Sequence, residues 1–216
     1  MRPRRAIAGG LRAVAPAPYK PAPPVEEEFM SADFTASREI MVDSQVRTQD
    51  VTDTAIVEAM RVFPRESLTP ADKSWLAYAD AEVEYSPGRW MLNPRDVGKL
   101  LQALRPKAGE RALAVSAPYA GAILREMGLT VSQVDAGEAL SGAWDIVVVE
   151  GAVAEAPSAW KEALAVGGRL GVVERDGPVG RAMLYVRTEQ TVGSRSLFDS
   201  TPPVLAGFEP RRSFAL

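Results

Sequence analysis

The spacing of apolar and polar residues divides the chain into a cap-like helical stretch and a longer stretch in which strands and helices alternate. Within SREIMVDSQVRT, residues 37–48, Ile40, Met41, Ser44 and Val46 stand at roughly helical spacing. A second helix is expected after Thr52 or Asp53, either of which is a good N-cap, with Ile56, Val57, Met60 and Val62 or Phe63 as its apolar stripe. Pro64 disfavours helical backbone at Phe63 and ends that helix, and a shorter helical turn is expected around 70–77. Further on, Val97, Leu100, Leu101 and Leu104 share one face of a helix over 96–104, a core stripe. Ala112–Val115 reads as a buried strand. Pro118 is well placed at a helix start, and Ala122, Ile123, Leu124 and Met127 give that helix its apolar face. The run LTVSQVD (129–135) reads as a strand ending in an acid, and Trp144–Glu150 as another strand. Residues 157–166 read as a short helix capped by Gly167 and Gly168, with Trp160, Ala163 and Leu164 inward. Residues 169–176 and 181–199 read as two strands around the turn Asp176-Gly177-Pro178, and Phe214–Leu216 can add a short last strand. Strands alternating with helices predict an α/β sandwich.

Composition narrows the chemistry. With 46% hydrophobic and 25% charged residues the chain suits a folded globular domain rather than a disordered one. No apolar run reaches the ~18–20 residues of an integral membrane segment. The chain holds no cysteine, which excludes disulfides, thiolate metal sites and cysteine nucleophiles, and no histidine, which excludes Ser-His-Asp triads and imidazole ligands. The first 25 residues hold five basic side chains and no acidic one, which leaves −8 on the rest of a chain whose net charge is −3. An acidic body argues against nucleic acid as a partner. Residues 1–36, with prolines at 16, 18, 21, 23 and 24, are expected to form a flexible or polyproline-like tail. Its basic, acid-poor start has the character of a targeting peptide, and Met30 is an alternative start. Residues 37–83 then form a helical cap and 84–216 the α/β domain.

Several fixed spacings in the cap carry a resemblance. Met41-Val42, Gln45, Val51-x-Asp53, Ala59-Met60, Phe63-Pro64-Arg65-Glu66, Pro70 and Ala77-Tyr78-x-Asp80 follow one another over forty residues. In this run the chain resembles the protein-L-isoaspartate O-methyltransferase family, and the resemblance extends over about residues 38–216. It implies a Rossmann-like class I methyltransferase sandwich of seven strands with an N-terminal helical cap. It also implies S-adenosylmethionine as cofactor and methylation of isoaspartyl carboxylates in a protein or peptide, the first step of protein repair, in the cytoplasm.

The departures from that pattern fall on the binding chemistry. Where the family has a Thr and a Ser beside the methyl-accepting carboxylate, this chain has Trp90 and Leu92, and Asn93 stands for a Gln. Arg89, in the same segment, is expected to be a solvated surface side chain. In the glycine loop the strand acid has become Ala114 and the first glycine Ser116; the loop is two residues shorter, and Pro118 removes one amide donor. Asp135 holds the place of the acid that binds the cofactor ribose. Only eight residues separate Asp135 from Trp144, too few for the helix and strand the family carries there, since a βαβ crossover needs at least about 10–12. The expected fold is therefore truncated by one helix–strand unit. Its vestigial cofactor site would comprise Ser116, Ala117 and Asp135, with no catalytic residue and no metal, and its pocket would be shallow or filled by side chains such as Tyr119. These losses favour a pseudoenzyme that acts by binding a partner. The other readings are an active isoaspartyl methyltransferase and a chain with altered ligand preference.

Overall fold

A computed structural model of the chain describes residues 34–210. The N-terminal tail up to residue 33 and the suggested last strand at 214–216 lie outside the described residues. Helix α1, Phe34–Met41, runs on into a π-helical turn, Val42–Val46, and a 3₁₀ turn, Arg47–Gln49. Met41, Val42 and Val46 are buried, whereas Ile40, expected inside, stands about 100° around α1 from Met41 and is 65% exposed. Helix α2, Thr54–Val62, begins at Asp53, whose carboxylate accepts the amides of Ala55 and Ile56. Ile56, Val57 and Met60 are buried and Phe63 half-buried, whereas Val62 faces solvent. Two 3₁₀ turns, Arg65–Leu68 and Ala71–Leu76, complete the cap.

A short antiparallel hairpin, β1 (Val83–Ser86) and β2 (Arg89–Met91), then leads into helix α3, Pro94–Leu104. The periodicity gave no sign of this hairpin. Its turn rests on Gly88, whose φ of +69° suits glycine. Among the described residues the main sheet has six strands: β3 (Arg111–Val115), β4 (Thr130–Val134), β5 (Trp144–Val153), β6 (Leu164–Glu174), β7 (Gly180–Arg187) and β8 (Val192–Ser200). Their order is β4-β3-β5-β6-β7-β8; the first four are parallel and the last two antiparallel to their neighbours. Helix α4, Pro118–Glu126, joins β3 to β4, and the short α5, Ser158–Glu162, joins β5 to β6. Residues 136–143 contain neither helix nor strand, as the eight-residue gap requires.

Two sequence expectations are corrected at the C-terminal end. The stretch 181–199 is a hairpin of two strands, because the Thr188 hydroxyl accepts the amides of Gln190 and Thr191 and turns the chain without glycine or proline. Gly167 and Gly168 lie inside β6 rather than capping a helix, since α5 ends at Glu162. A Cβ on Gly168 would meet the Trp144 carbonyl at 2.6 Å, so close strand packing requires glycine there.

Alternation along the strands divides the core between the two sheet faces. Ala112, Ala114, Ile146 and Val148 pack under α3, α4 and the cap, with Met41, Ile56, Met60 and Leu101. Leu113, Val115, Val147, Val149 and Leu170 pack on the other face with Trp160 of α5 and Leu205. Gly121 lets α4 lie close on the sheet: a Cβ there would stand 2.8 Å from the Ala114 Cβ. No helix among the described residues is long and apolar enough to cross a membrane.

Candidate functional site

The C-terminal ends of β3, β4 and β5 converge below the hairpin, the usual place for a ligand in a parallel α/β sheet. At the end of β3, Ser116 has a φ of +45°, so the backbone keeps a left-handed turn although the residue is not glycine. The Ser116 hydroxyl donates to Asp135 Oδ1 at 2.6 Å and accepts the Ala136 amide at 3.0 Å. From β2, Arg89 reaches the same carboxylate with both arms of its guanidinium, Nε to Oδ1 at 2.5 Å and Nη2 to Oδ2 at 2.8 Å. These donors, Arg89 first and Ser116 next, hold the Asp135 carboxyl well below the usual carboxylate range. The surrounding cleft, about 350 Å³, is lined by Tyr85, Arg89, Ser116, Gln133, Asp135 and Glu138, among others. Burial, with the nearby charges of Glu150 and Asp135, pushes the Tyr85 phenol up to about 12.

Behind this cleft lies a second, buried set of charges. Glu150, on β5, is inaccessible to solvent; its Oε2 accepts the Leu92 amide at 2.8 Å and its Oε1 the Ala120 amide at 2.7 Å. The second bond caps the N-terminal turn of α4 with a carboxylate of the chain itself. Burial pushes the Glu150 carboxyl up to about 7, against the attraction of Arg65 and the amides of Ala120, Leu92 and Tyr119. Arg65, also fully buried, donates from Nη2 to the Leu92 carbonyl at 2.7 Å and lies over the Tyr119 ring, its Cζ 4.4 Å from the centroid. Among the described residues the Arg65 Nε and Nη1 and the Tyr119 hydroxyl have no hydrogen-bond partner. Leu92 thus lies between the two charges, its carbonyl on the cation and its amide on the anion.

The structure brings Ser116, Ala117 and Asp135 together as expected, with Ala117 contributing only backbone: its carbonyl accepts the Gly121 amide at 2.9 Å. Arg89, expected to be solvated, instead belongs to the cleft, because the unpredicted hairpin carries it over the sheet to Asp135. Tyr119 does not fill the cleft; α4 turns it into the core against Phe63 and Arg65. Asn93 caps α3 by accepting the Asp96 amide. The sequence reading missed Glu150 and the role of Arg65. The available signal was an acid closing the otherwise apolar run Val147-Val148-Val149-Glu150 and an Arg directly after a helix-ending proline.

No family model matches the chain. Its sequence is 30% identical over 179 residues to protein-L-isoaspartate O-methyltransferase 1 of Rhodopseudomonas palustris (strain HaA2), covering 68% of this chain and 72% of that one. The chain belongs to the protein-L-isoaspartate O-methyltransferase family. The family protein of Methylorubrum populi is 29% identical over 179 residues, covering 69% of this chain and 84% of its own. Protein-L-isoaspartate O-methyltransferase 2 of an Anaeromyxobacter strain (Fw109-5) is 30% identical over 186 residues, covering 71% and 75%. Among solved structures, a Plasmodium falciparum chain described under the same family name, in complex with S-adenosyl-L-homocysteine, superposes with a TM-score of 0.65 at 15% identity over 78% of this chain and 97% of that one. A second structure of that name gives a TM-score of 0.64 at 16% identity, over 80% and 67%. The fold is the Rossmann-like class I methyltransferase fold.

Proposed function

We propose that this chain is a member of the protein-L-isoaspartate O-methyltransferase family that has lost methyl transfer and acts by binding a protein or peptide partner. One observation carries the reading: the polar groups that a ligand would engage are already engaged by the protein. Asp135, at the place the resemblance gives to the ribose-binding acid, is held by Arg89 and Ser116. The Ala120 amide, at the helix start that follows the glycine loop in the family, is taken by Glu150. The loop itself is Ser116-Ala117-Pro118, and the wall that a further helix and strand would supply beyond β4 is missing among the described residues. These residues do not fit S-adenosylmethionine. The family name ties the relatives to proteins that bear isoaspartate, and it supports a protein or peptide as the partner class.

Calorimetric titration of the purified chain with S-adenosylmethionine tests the proposal, with methyl transfer to an isoaspartyl peptide as the companion assay. No heat of binding in the micromolar range and no transfer above a no-enzyme control are expected. Micromolar binding with transfer overturns the proposal and establishes the active methyltransferase. That second reading draws on the cleft of about 350 Å³ that stays open beside Asp135.

A further inference from the structure

Among the described residues, strand β4 forms one edge of the main sheet and pairs only with β3. The Thr130 amide donates to the Glu110 carbonyl and the Val134 carbonyl accepts the Ser116 amide, so Thr130, Ser132 and Val134 direct their backbone groups to β3. Val131 and Gln133 therefore direct theirs outward. Among the described residues the only hydrogen bond to these outward backbone groups comes from the Arg125 guanidinium, 3.5 Å from the Val131 carbonyl. Edge strands in monomers are usually blocked by charge, proline or a bulge. The sequence Thr-Val-Ser-Gln-Val has no charge and no proline, and its register against β3 is regular. The opposite edge, β8, carries Arg195 and Asp199.

We propose that two copies of this chain associate through β4, antiparallel about a two-fold axis at Ser132. This goes beyond the functional reading and does not depend on it. The symmetry suits the strand. With Ser132 opposite itself, Val131 faces Gln133 of the second copy, and these two pairs exchange four N–H···O=C bonds from the groups that point outward. The charges also complement. Arg125 is exposed beside the Val131 end of the strand, while Glu138 is exposed beyond the Val134 end. Antiparallel pairing brings the basic end of one copy to the acidic end of the other, twice. The Arg125 contact to Val131 is long and yields to a strand amide.

Sedimentation equilibrium of the full chain tests this, with wild type expected at twice the 23.2 kDa chain mass. Val131→Pro removes an outward amide and no bond to β3, so it should sediment as a folded monomer with an unchanged far-ultraviolet spectrum. Arg125→Glu, a surface change that leaves the strand intact, should weaken association at least tenfold. Adding Glu138→Arg to it should restore dimers. Amide exchange at Gln133 should be slow in wild type and fast in either single variant, and exchange at Val131 slow in wild type and fast in Arg125→Glu. A monomeric wild type overturns the proposal. So does a dimer that persists unchanged in Val131→Pro and Arg125→Glu, or an edge whose amides are protected only when an unrelated peptide is bound.

Discussion

Replacing Arg65 by Met probes the buried charges directly, because Met keeps the apolar stem and removes the guanidinium. In the native chain the cation donates to the Leu92 carbonyl at 2.7 Å and stacks over Tyr119 at 4.4 Å. A charge-assisted hydrogen bond contributes about 1.5–3 kcal/mol. A desolvated cation–π contact contributes about 2 kcal/mol. The larger consequence is that Glu150 loses the charge that offsets its burial. Leaving a buried charge without its compensating partner costs about 3–5 kcal/mol. For a chain of this size that lowers Tm by roughly 6–20 °C, at about 2–4 °C per kcal/mol. Glu150→Gln should also destabilise, since it leaves Arg65 buried and uncompensated. The double variant should lose less than either single one, although the glutamine oxygen serves only one of the two amides at Leu92 and Ala120.

The pH dependence fixes the sign. The folded Glu150 carboxyl is raised from 4.5 to about 7, so between those values the native state holds a proton that the unfolded chain has released. The stability associated with this group is fully present below about 4.5 and is lost as pH rises towards 7, by a ceiling of about 3 kcal/mol. Without Arg65 the carboxyl titrates still higher. The Arg65→Met deficit, read by urea denaturation, should therefore be smaller near pH 5 than near pH 8. A variant within about 0.5 kcal/mol of wild type at both pH values, or single-variant losses that simply add, would refute the coupling.

Three further outcomes are expected. Arg89→Gln should return the Asp135 carboxyl towards its ordinary range, seen by carboxyl-carbon NMR titration, and cost at most about 1 kcal/mol because the pair is partly exposed. That contribution is present above the unfolded value near 3.8 and is lost as pH falls below it through the depressed folded value, so the variant and wild type should converge only in strong acid. Gly121→Ala should destabilise by about 1–3 kcal/mol in chemical denaturation despite its better helix propensity, since the new Cβ would stand 2.8 Å from Ala114. Met60→Ala should cost about 2–5 kcal/mol; an unchanged Tm would place that face of α2 outside the core, contrary to its complete burial.

The order of elements and most of the core were legible because periodicity reports burial. Met41, Ile56, Met60, Leu100 and Leu101 are all buried where spacing placed them. The shortened crossover was legible from chain length alone. Three features were not. Ile40 faces outward because the buried face of α1 runs through Met41, about 100° away, and an isoleucine at that position gives the opposite expectation. The β1–β2 hairpin spans too few residues to show alternation, and without it Arg89 has no route to Asp135. The pairing of Arg65 with Glu150 joins residues 85 positions apart on different elements, and their separate contexts, a helix end and a strand end, reveal neither burial nor charge.

The replacements in the cleft bear on what any ligand must overcome. Asp135 receives two guanidinium donors in the bidentate geometry that matches a carboxylate, with the Ser116 hydroxyl and the Ala136 amide in addition. A neutral diol, the group that a ribose presents, offers two uncharged donors in place of a charge-assisted pair about twice as strong per bond. Entry of the diol also strands Arg89, which is only partly exposed, and displaces Ser116, whose hydroxyl closes the turn at a φ of +45°. Glycine in that position would have left the space for a ligand; a serine fills it and bonds across it. At the other end of the site, a ligand that approaches the start of α4 competes with the Glu150 carboxylate, which is covalently held in place and loses no translational freedom on binding there. On the proposed reading the exchange is unfavourable at both ends for the same physical reason: intramolecular partners of higher local concentration already make the bonds that a nucleoside-type ligand would have to make.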